Sequence, residues 1–221
     1  MGGPSKHGTE GDESYERLHQ AILRGDFQPH ERLIETDLAQ QYNVGRAAIR
    51  TALARLEQDG LVERVPNRGA RVRGISEAEA VERTEVRAVL EGLAARYAAQ
   101  HVTDAEIVEL RAMVGTMETC LAEGDLLGLS ELNGRLHDRL LHIANNQTIT
   151  RLIAHLHIQH VRSQFRLVLV PGRPQRSVAE HRAIVEAVAA RDPDAAEVAM
   201  RRHRANTVEA LRAFIELRQP L

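Results

Sequence analysis

A chain of 221 residues with 43% hydrophobic side chains has room for one small module plus a second domain with a full core. Aromatics at 3%, with no tryptophan, leave that core to Leu, Val, Ile and Ala. The balance of 29 Lys+Arg against 31 Asp+Glu excludes a surface coated for nonspecific nucleic-acid binding, the single Cys120 excludes an internal disulfide framework and fits a reducing cytoplasm, and no apolar run reaches the roughly 18 residues of a membrane span.

Met1 to Asp12 is rich in Gly, Ser and charge and has no apolar h-region, so it reads as a disordered leader over residues 1–13 and not as a secretory signal. Residues 14–74 carry the pattern of a winged helix-turn-helix, two short amphipathic helices followed by a hairpin. In the second of these helices Ile49, Leu53 and Leu56 recur at i, i+4 and i+7 and mark the buried stripe. Arg46, Ala47, Arg50 and Thr51 are left on the other side or its flanks. Small side chains there let the backbone approach a major groove, and each guanidinium can reach a phosphate or grip guanine O6 and N7. Asp59-Gly60 stops the helix. Leu61 to Val65 and Ala70 to Arg73 then pair across Pro66-Asn67-Arg68-Gly69 as a two-stranded wing with Arg68 at its tip. From Val44 to Arg73 the arginines at 46, 50, 55, 64, 68, 71 and 73 face Glu57, Asp59 and Glu63, a basic island in a mildly acidic chain. A solvated face would also carry arginines, but it leaves the helix, stop and hairpin unexplained.

Phe27 to Val72 resembles the DNA-binding domain of the GntR family. The resemblance rests on Glu35-Thr-Asp-Leu-Ala39, Val44-Gly-Arg-Ala-Ala-Ile-Arg-Thr-Ala-Leu53, Gly60-Leu-Val62 and Pro66-Asn-Arg-Gly69. It implies contact with double-stranded operator DNA through Arg46, Ala47, Arg50, Thr51, Arg68 and Gly69. His30 stands where that family usually has glycine, Gly45 where it has a hydroxyl cap, and Ala48 where it often has proline. Losing the hydroxyl removes on the order of a few tenths of a kcal/mol of helix stability and one phosphate contact.

From Ser76 the pattern is helical, with breaks at residues 100–103, 124–125, 144–146, 171–174 and 191–193 that delimit six helices. Ser76, the box of Thr103 with Glu106, and Asp192 before Pro193 are start signals. Gly74 is the expected hinge. The fold class is therefore mainly α: an N-terminal winged helix-turn-helix, then an all-α six-helix bundle over residues 75–221. Arg87-Ala-Val-Leu-Glu91, Leu132-Asn-Gly-Arg-Leu-His137, Glu180-His181 and Ala199-Met-Arg-Arg-His203 resemble the FCD ligand-sensing domain of the FadR subfamily, in its smaller VanR-like variety.

Asn133 and His137 share one helical face, while His181 and His203 come from two later helices. Converging inside a bundle, they can offer three imidazoles and an amide oxygen to one metal, although lone buried histidines are commonly hydrogen-bonded core residues. The resemblance implies a divalent metal at these four positions. Zinc is the default, with nickel and other transition metals open, because imidazole serves them all. His142, His155, His157 and His160 read as surface or outer-shell groups. Arg87 and Glu91, at i and i+4, form either a helix-surface salt bridge or a bundle-facing pair in which Arg87 clamps an effector carboxylate, with Arg162 and Arg166 as further candidates.

Three functions follow from these readings. One is a ligand-responsive transcription factor, a cytoplasmic homodimer on a palindrome with a small organic acid as effector. A second is a metal-dependent enzyme using the histidine site. Against it, paired Glu-x-x-His motifs are missing, the single one, Glu16 to His19, lies ahead of the helix-turn-helix pair and not in the bundle, and no P-loop, GxGxxG or nucleophile elbow occurs. A third is a winged helix used for structure alone, which the basic island disfavours. The sequence reads best as a regulator and not an enzyme.

Overall fold

Two amphipathic patterns, a short one and a long one, build two separate cores. In a computed structural model, residues 6–65, 69–157, 167 and 170–216 are described, and the chain divides into two units, Met1–Ile75 and Ser76–Leu221.

The first unit runs α1 (Lys6–Arg24), β1 (Arg32–Leu33), α2 (Glu35–Tyr42), α3 (Arg46–Gln58), β2 (Val62–Val65) and β3 (Gly69–Val72). The predicted stripe is buried, with Ile49 and Leu56 at 0% and Leu53 at 2% exposure; Leu18 of α1 and Leu61 are buried too, and α1 packs on α3. Asn43 takes a left-handed conformation that ends α2, and its N–H bonds back to Ala39 and Gln40. Helix α1 begins at Lys6, inside the stretch expected as leader. Its polar side chains find partners at α3: Asp12 pairs with Arg55, and the Tyr15 hydroxyl donates to Asp59 Oδ2 at 2.7 Å.

The wing has a third strand that the sequence did not suggest. The order is β1-β3-β2, all antiparallel, with Leu33 opposite Ala70 and Val65 opposite Gly69. Two residues are too short to show alternation, yet Leu33 is buried and anchors the added edge. His30, where glycine was noted as usual, adopts φ +68°, a left-handed conformation that costs roughly 1–2 kcal/mol for a residue with a Cβ. Gly74, the expected hinge, lies against the His30 ring so closely that a Cβ would stand 2.5 Å from it.

The second unit consists, among the described residues, of α4 (Glu77–His101), α5 (Asp104–Glu123), α6 (Leu126–Ala144), α7 (Gln147–His157), α8 (Arg173–Ala189) and α9 (Pro193–Glu216). The predicted breaks fall between them. Ser76 accepts from the Glu79 N–H, Thr103 and Glu106 form the reciprocal capping box, and Asp192 accepts from the Ala195 N–H at 3.0 Å. Helix α8 starts within its expected break, at Arg173, with a proline in its first turn. The core is aliphatic as composition required: Ala94, Ala95, Ala98 and Ala99 of α4 pack with Leu110, Met117, Leu136, Leu140, Ile184, Val188 and Met200. Small residues on α4 bring its backbone close to α9, and at Gly92 a Cβ would meet the Arg201 side chain at 2.7 Å. Among the described residues no helix is long and apolar enough to cross a membrane.

Candidate DNA interface and metal centre

In the first unit α3 presents Arg46, Ala47, Arg50 and Thr51, all exposed. The buried stripe on the opposite side fixes that orientation. Arg50 Nε is 3.5 Å from Glu35 Oε2 and Arg46 stands at 4.0 Å, so one carboxylate of α2 holds both arginines over the helix without burying them. The Thr51 hydroxyl donates to its own helix at Ala47 O, 3.0 Å. Gly45, the residue before α3, provides no side-chain cap, and its N–H points at Glu10 Oε1, 3.4 Å away. Glu10 was not anticipated as part of this surface. Arg68 lies outside the described residues. Gly69 has a backbone reason to be glycine: φ is +83°, and a Cβ would stand 2.8 Å from Leu33 O, which β1 places there.

In the second unit His137 of α6, His181 of α8 and His203 of α9 are all buried, at 5%, 0% and 2% exposure. Each offers one ring nitrogen, and these atoms lie within 4.8 Å of one another. The Nε2 atoms of His137 and His181 are 3.2 Å apart. Asn133, half-buried one turn before His137, lines an adjoining cavity of about 40 Å³ with Ser130, Arg173, His203, Arg204 and Thr207. Burial, and then the Arg204 charge, pushes His137 down to about 4. Burial and the neighbouring imidazoles hold His181 and His203 well below the usual histidine range. All three are therefore neutral, the form that coordinates metals.

Two of the three remaining ring nitrogens meet carboxylates from outside the cluster. His137 Nδ1 is 3.0 Å from Glu91 Oε2, and His203 Nδ1 is 2.7 Å from Glu180 Oε2. His181 Nδ1 is buried without a hydrogen-bond partner among the described residues. Glu91 bonds Arg87 Nη2 at 2.7 Å and Arg204 Nε at 2.7 Å. Burial alone raises the Glu91 carboxyl, and Arg204, Arg87 and His137 overcome it, keeping the group well below the ordinary carboxylate range. The helix-surface reading of Arg87 and Glu91 is thus corrected, since both are 2% exposed. Arg87 Nη1 is buried with no hydrogen-bond partner among the described residues. Arg162, Arg166 and His160 lie outside the described residues. His142 and His155 stay away from the cluster: His142 meets Arg139 at an exposed position and His155 is exposed.

A donor set of neutral imidazoles with facing nitrogens suits a borderline transition metal, so the residues present fit such an ion.

Comparison with known proteins accounts for both units. Residues 82–206 match the FCD domain, and residues 11–72 match bacterial regulatory proteins of the gntR family. The chain belongs to the GntR family, with a C-terminal FCD domain, and it is a DNA-binding transcriptional regulator and not an enzyme. It is 27% identical over 205 residues to the uncharacterized HTH-type transcriptional regulator YdhC of Bacillus subtilis, covering 91% of each chain. It is also 27% identical over 198 residues to the HTH-type transcriptional repressor RspR of Escherichia coli, covering 90% of this chain and 87% of that one. Among solved structures, Escherichia coli McbR/YncC superposes with a TM-score of 0.75 at 18% identity, covering 93% of this chain and 98% of that one. A GntR-type regulator from Rhodococcus superposes at 0.70 and 20% identity, with the same coverage. At these identities the structural likeness speaks for the fold.

Proposed function

We propose that this chain is a cytoplasmic, homodimeric repressor of palindromic operators whose bundle binds one divalent metal and a small carboxylate effector. In this reading residues 14–74 form the DNA-binding domain and residues 75–221 the sensing and dimerising domain. The observation that carries it is the buried trio His137, His181 and His203, with one ring nitrogen from each within 4.8 Å of the others. Three neutral imidazoles facing one another make an expensive core unless an acceptor of their lone pairs is present. Asn133 is the fourth ligand. It is uncharged, so no protein anion sits among the ligands and an anionic effector is favoured. A bound zinc or nickel ion supplies a Lewis-acidic position for a carboxylate oxygen. Arg87 adds a buried, charged donor through its Nη1, which has no hydrogen-bond partner among the described residues. The adjoining cavity of about 40 Å³ limits what fits without rearrangement to a few non-hydrogen atoms.

On the DNA side Arg46, Ala47, Arg50 and Thr51 enter the major groove and the wing, with Arg68 and Gly69, meets the backbone. Repression is favoured by RspR, a relative named as a repressor. The test is elemental analysis of zinc-supplemented, then dialysed protein. About one metal per chain, falling on His181→Ala or His203→Ala, supports the reading. Substoichiometric metal unaffected by either change returns these residues to core histidines.

A further inference from the structure

Resting on the metal reading, we propose that Glu180 is a positioning residue for the metal centre: it fixes the tautomer and ring orientation of His203 and so delivers its Nε2 lone pair to the ion. Glu180 precedes His181 in the chain but points elsewhere. Neighbouring helical residues diverge by about 100°, so α8 turns His181 toward the other imidazoles while Glu180 reaches α9. There its Oε2 is 2.7 Å from His203 Nδ1, and its Oε1 accepts from Asn206 Nδ2 at 2.7 Å.

Glu180 is itself locked. Arg173 Nη1 donates to Oε2 at 2.8 Å, and Arg173 Nη2 donates to the Thr207 hydroxyl at 3.0 Å. That hydroxyl donates in turn to His203 O at 2.9 Å. The carboxylate, the guanidinium, the hydroxyl and the His203 backbone therefore form one closed hydrogen-bonded ring around the imidazole. An acceptor held at Nδ1 places the proton on Nδ1 and leaves Nε2 as the lone pair. Glu91 Oε2 stands 3.0 Å from His137 Nδ1, with Arg87 and Arg204 holding it, but Arg204 Nη2 also lies 3.2 Å from that nitrogen, so a carboxylate is the unopposed partner of Nδ1 only at His203. The two carboxylates also place negative charge one bond beyond the ligands, where Asn133 supplies none among them. His181, whose Nδ1 has no hydrogen-bond partner among the described residues, has no such support.

The experiment pairs nitrogen NMR of metal-free, 15N-histidine-labelled protein with zinc titration of the parent and of Glu180→Gln, which keeps the shape but leaves one oxygen for three donors. The parent should show His203 protonated at Nδ1, and Glu180→Gln should mix the two tautomers and weaken zinc binding by roughly 10- to 100-fold. His203 protonated at Nε2 in the parent overturns the proposal without any variant. Parental zinc affinity in folded Glu180→Gln overturns it too. Failure of the parent to take up zinc refutes the metal reading itself, a separate outcome that the NMR result does not affect. If Glu180→Gln does not fold, Glu180→Asp, which retains the charge at shorter reach, takes its place under the same criteria.

Discussion

The three buried histidines tie the stability of the metal-free protein to pH. Burial, then neighbouring charge, lowers His137 to about 4 and holds His181 and His203 well below the usual histidine range, whereas the same residues in the unfolded chain titrate near 6.5. Between those values the unfolded chain binds protons that the folded bundle refuses. Stability is then complete above about pH 6.5 and declines as pH falls toward the folded-state values, by a few kcal/mol at most for His137 alone. Urea unfolding of metal-free protein should show a lower midpoint at pH 5.5 than at pH 7.5, and an unchanged midpoint would mean the histidines are solvated. On the proposed DNA surface Arg50 is exposed and loosely paired with Glu35, so it can reach a base or a phosphate. Arg50→Ala should cost roughly 1–3 kcal/mol of operator affinity at matched salt without changing the melting temperature. A variant that binds like the parent would remove α3 from the interface.

At the scale of elements the start of α3 is the informative place. Helix N-termini attract anions, and the usual occupant, a hydroxyl on the capping residue, is missing at Gly45. Glu10 of α1 stands in at 3.4 Å from the Gly45 N–H. In the proposed docking, a DNA phosphate approaching that end of α3 is repelled by this carboxylate. Glu10→Gln should therefore raise DNA affinity by about two- to five-fold at low salt, with the gain shrinking as salt screens it. Equal or weaker binding of Glu10→Gln in a fluorescence-anisotropy titration would show that the carboxylate matters only as a cap. The periodicity of α3, the helix caps at Ser76 and Thr103 and the helix breaks were legible because each is written within a few residues. The α1 start and strand β1 were not, and the sequence left open whether Arg87 and Glu91 face solvent or the bundle, because each depends on partners far along the chain: Asp12 on Arg55, Leu33 on Ala70, and Glu91 on Arg204. A charge pair at i and i+4 looks like a solvated face until a distant guanidinium closes over it. Glu180 was quoted as part of a motif, yet its role appears only when α9 brings His203 and Asn206 to it.

For the whole molecule, one winged helix offers too little surface for a specific site, so two copies are expected to share a palindrome. Light scattering at micromolar concentration should give twice the 24.6 kDa chain mass, and a monomer with and without DNA would contradict this. The division of labour between the units then sets the last expectation. Every residue assigned to DNA lies within Met1–Ile75, and every residue assigned to metal or effector lies within Ser76–Leu221. Regulation therefore has to be a coupling free energy between separate sites, with differential binding of effector to two states of the protein shifting DNA affinity. Such coupling is typically 1–3 kcal/mol, or about 5- to 150-fold in affinity. His181→Ala should abolish it while leaving basal operator binding near the parental value, because no DNA contact is removed. A panel of small mono- and dicarboxylates, titrated into zinc-loaded parent bound to operator DNA, should include at least one that changes the binding constant by that order. The same compound should leave His181→Ala unmoved. If the variant responds as the parent does, the effector acts away from the histidine centre; if basal DNA binding collapses with the histidine, that centre is needed for the DNA-competent fold rather than for sensing.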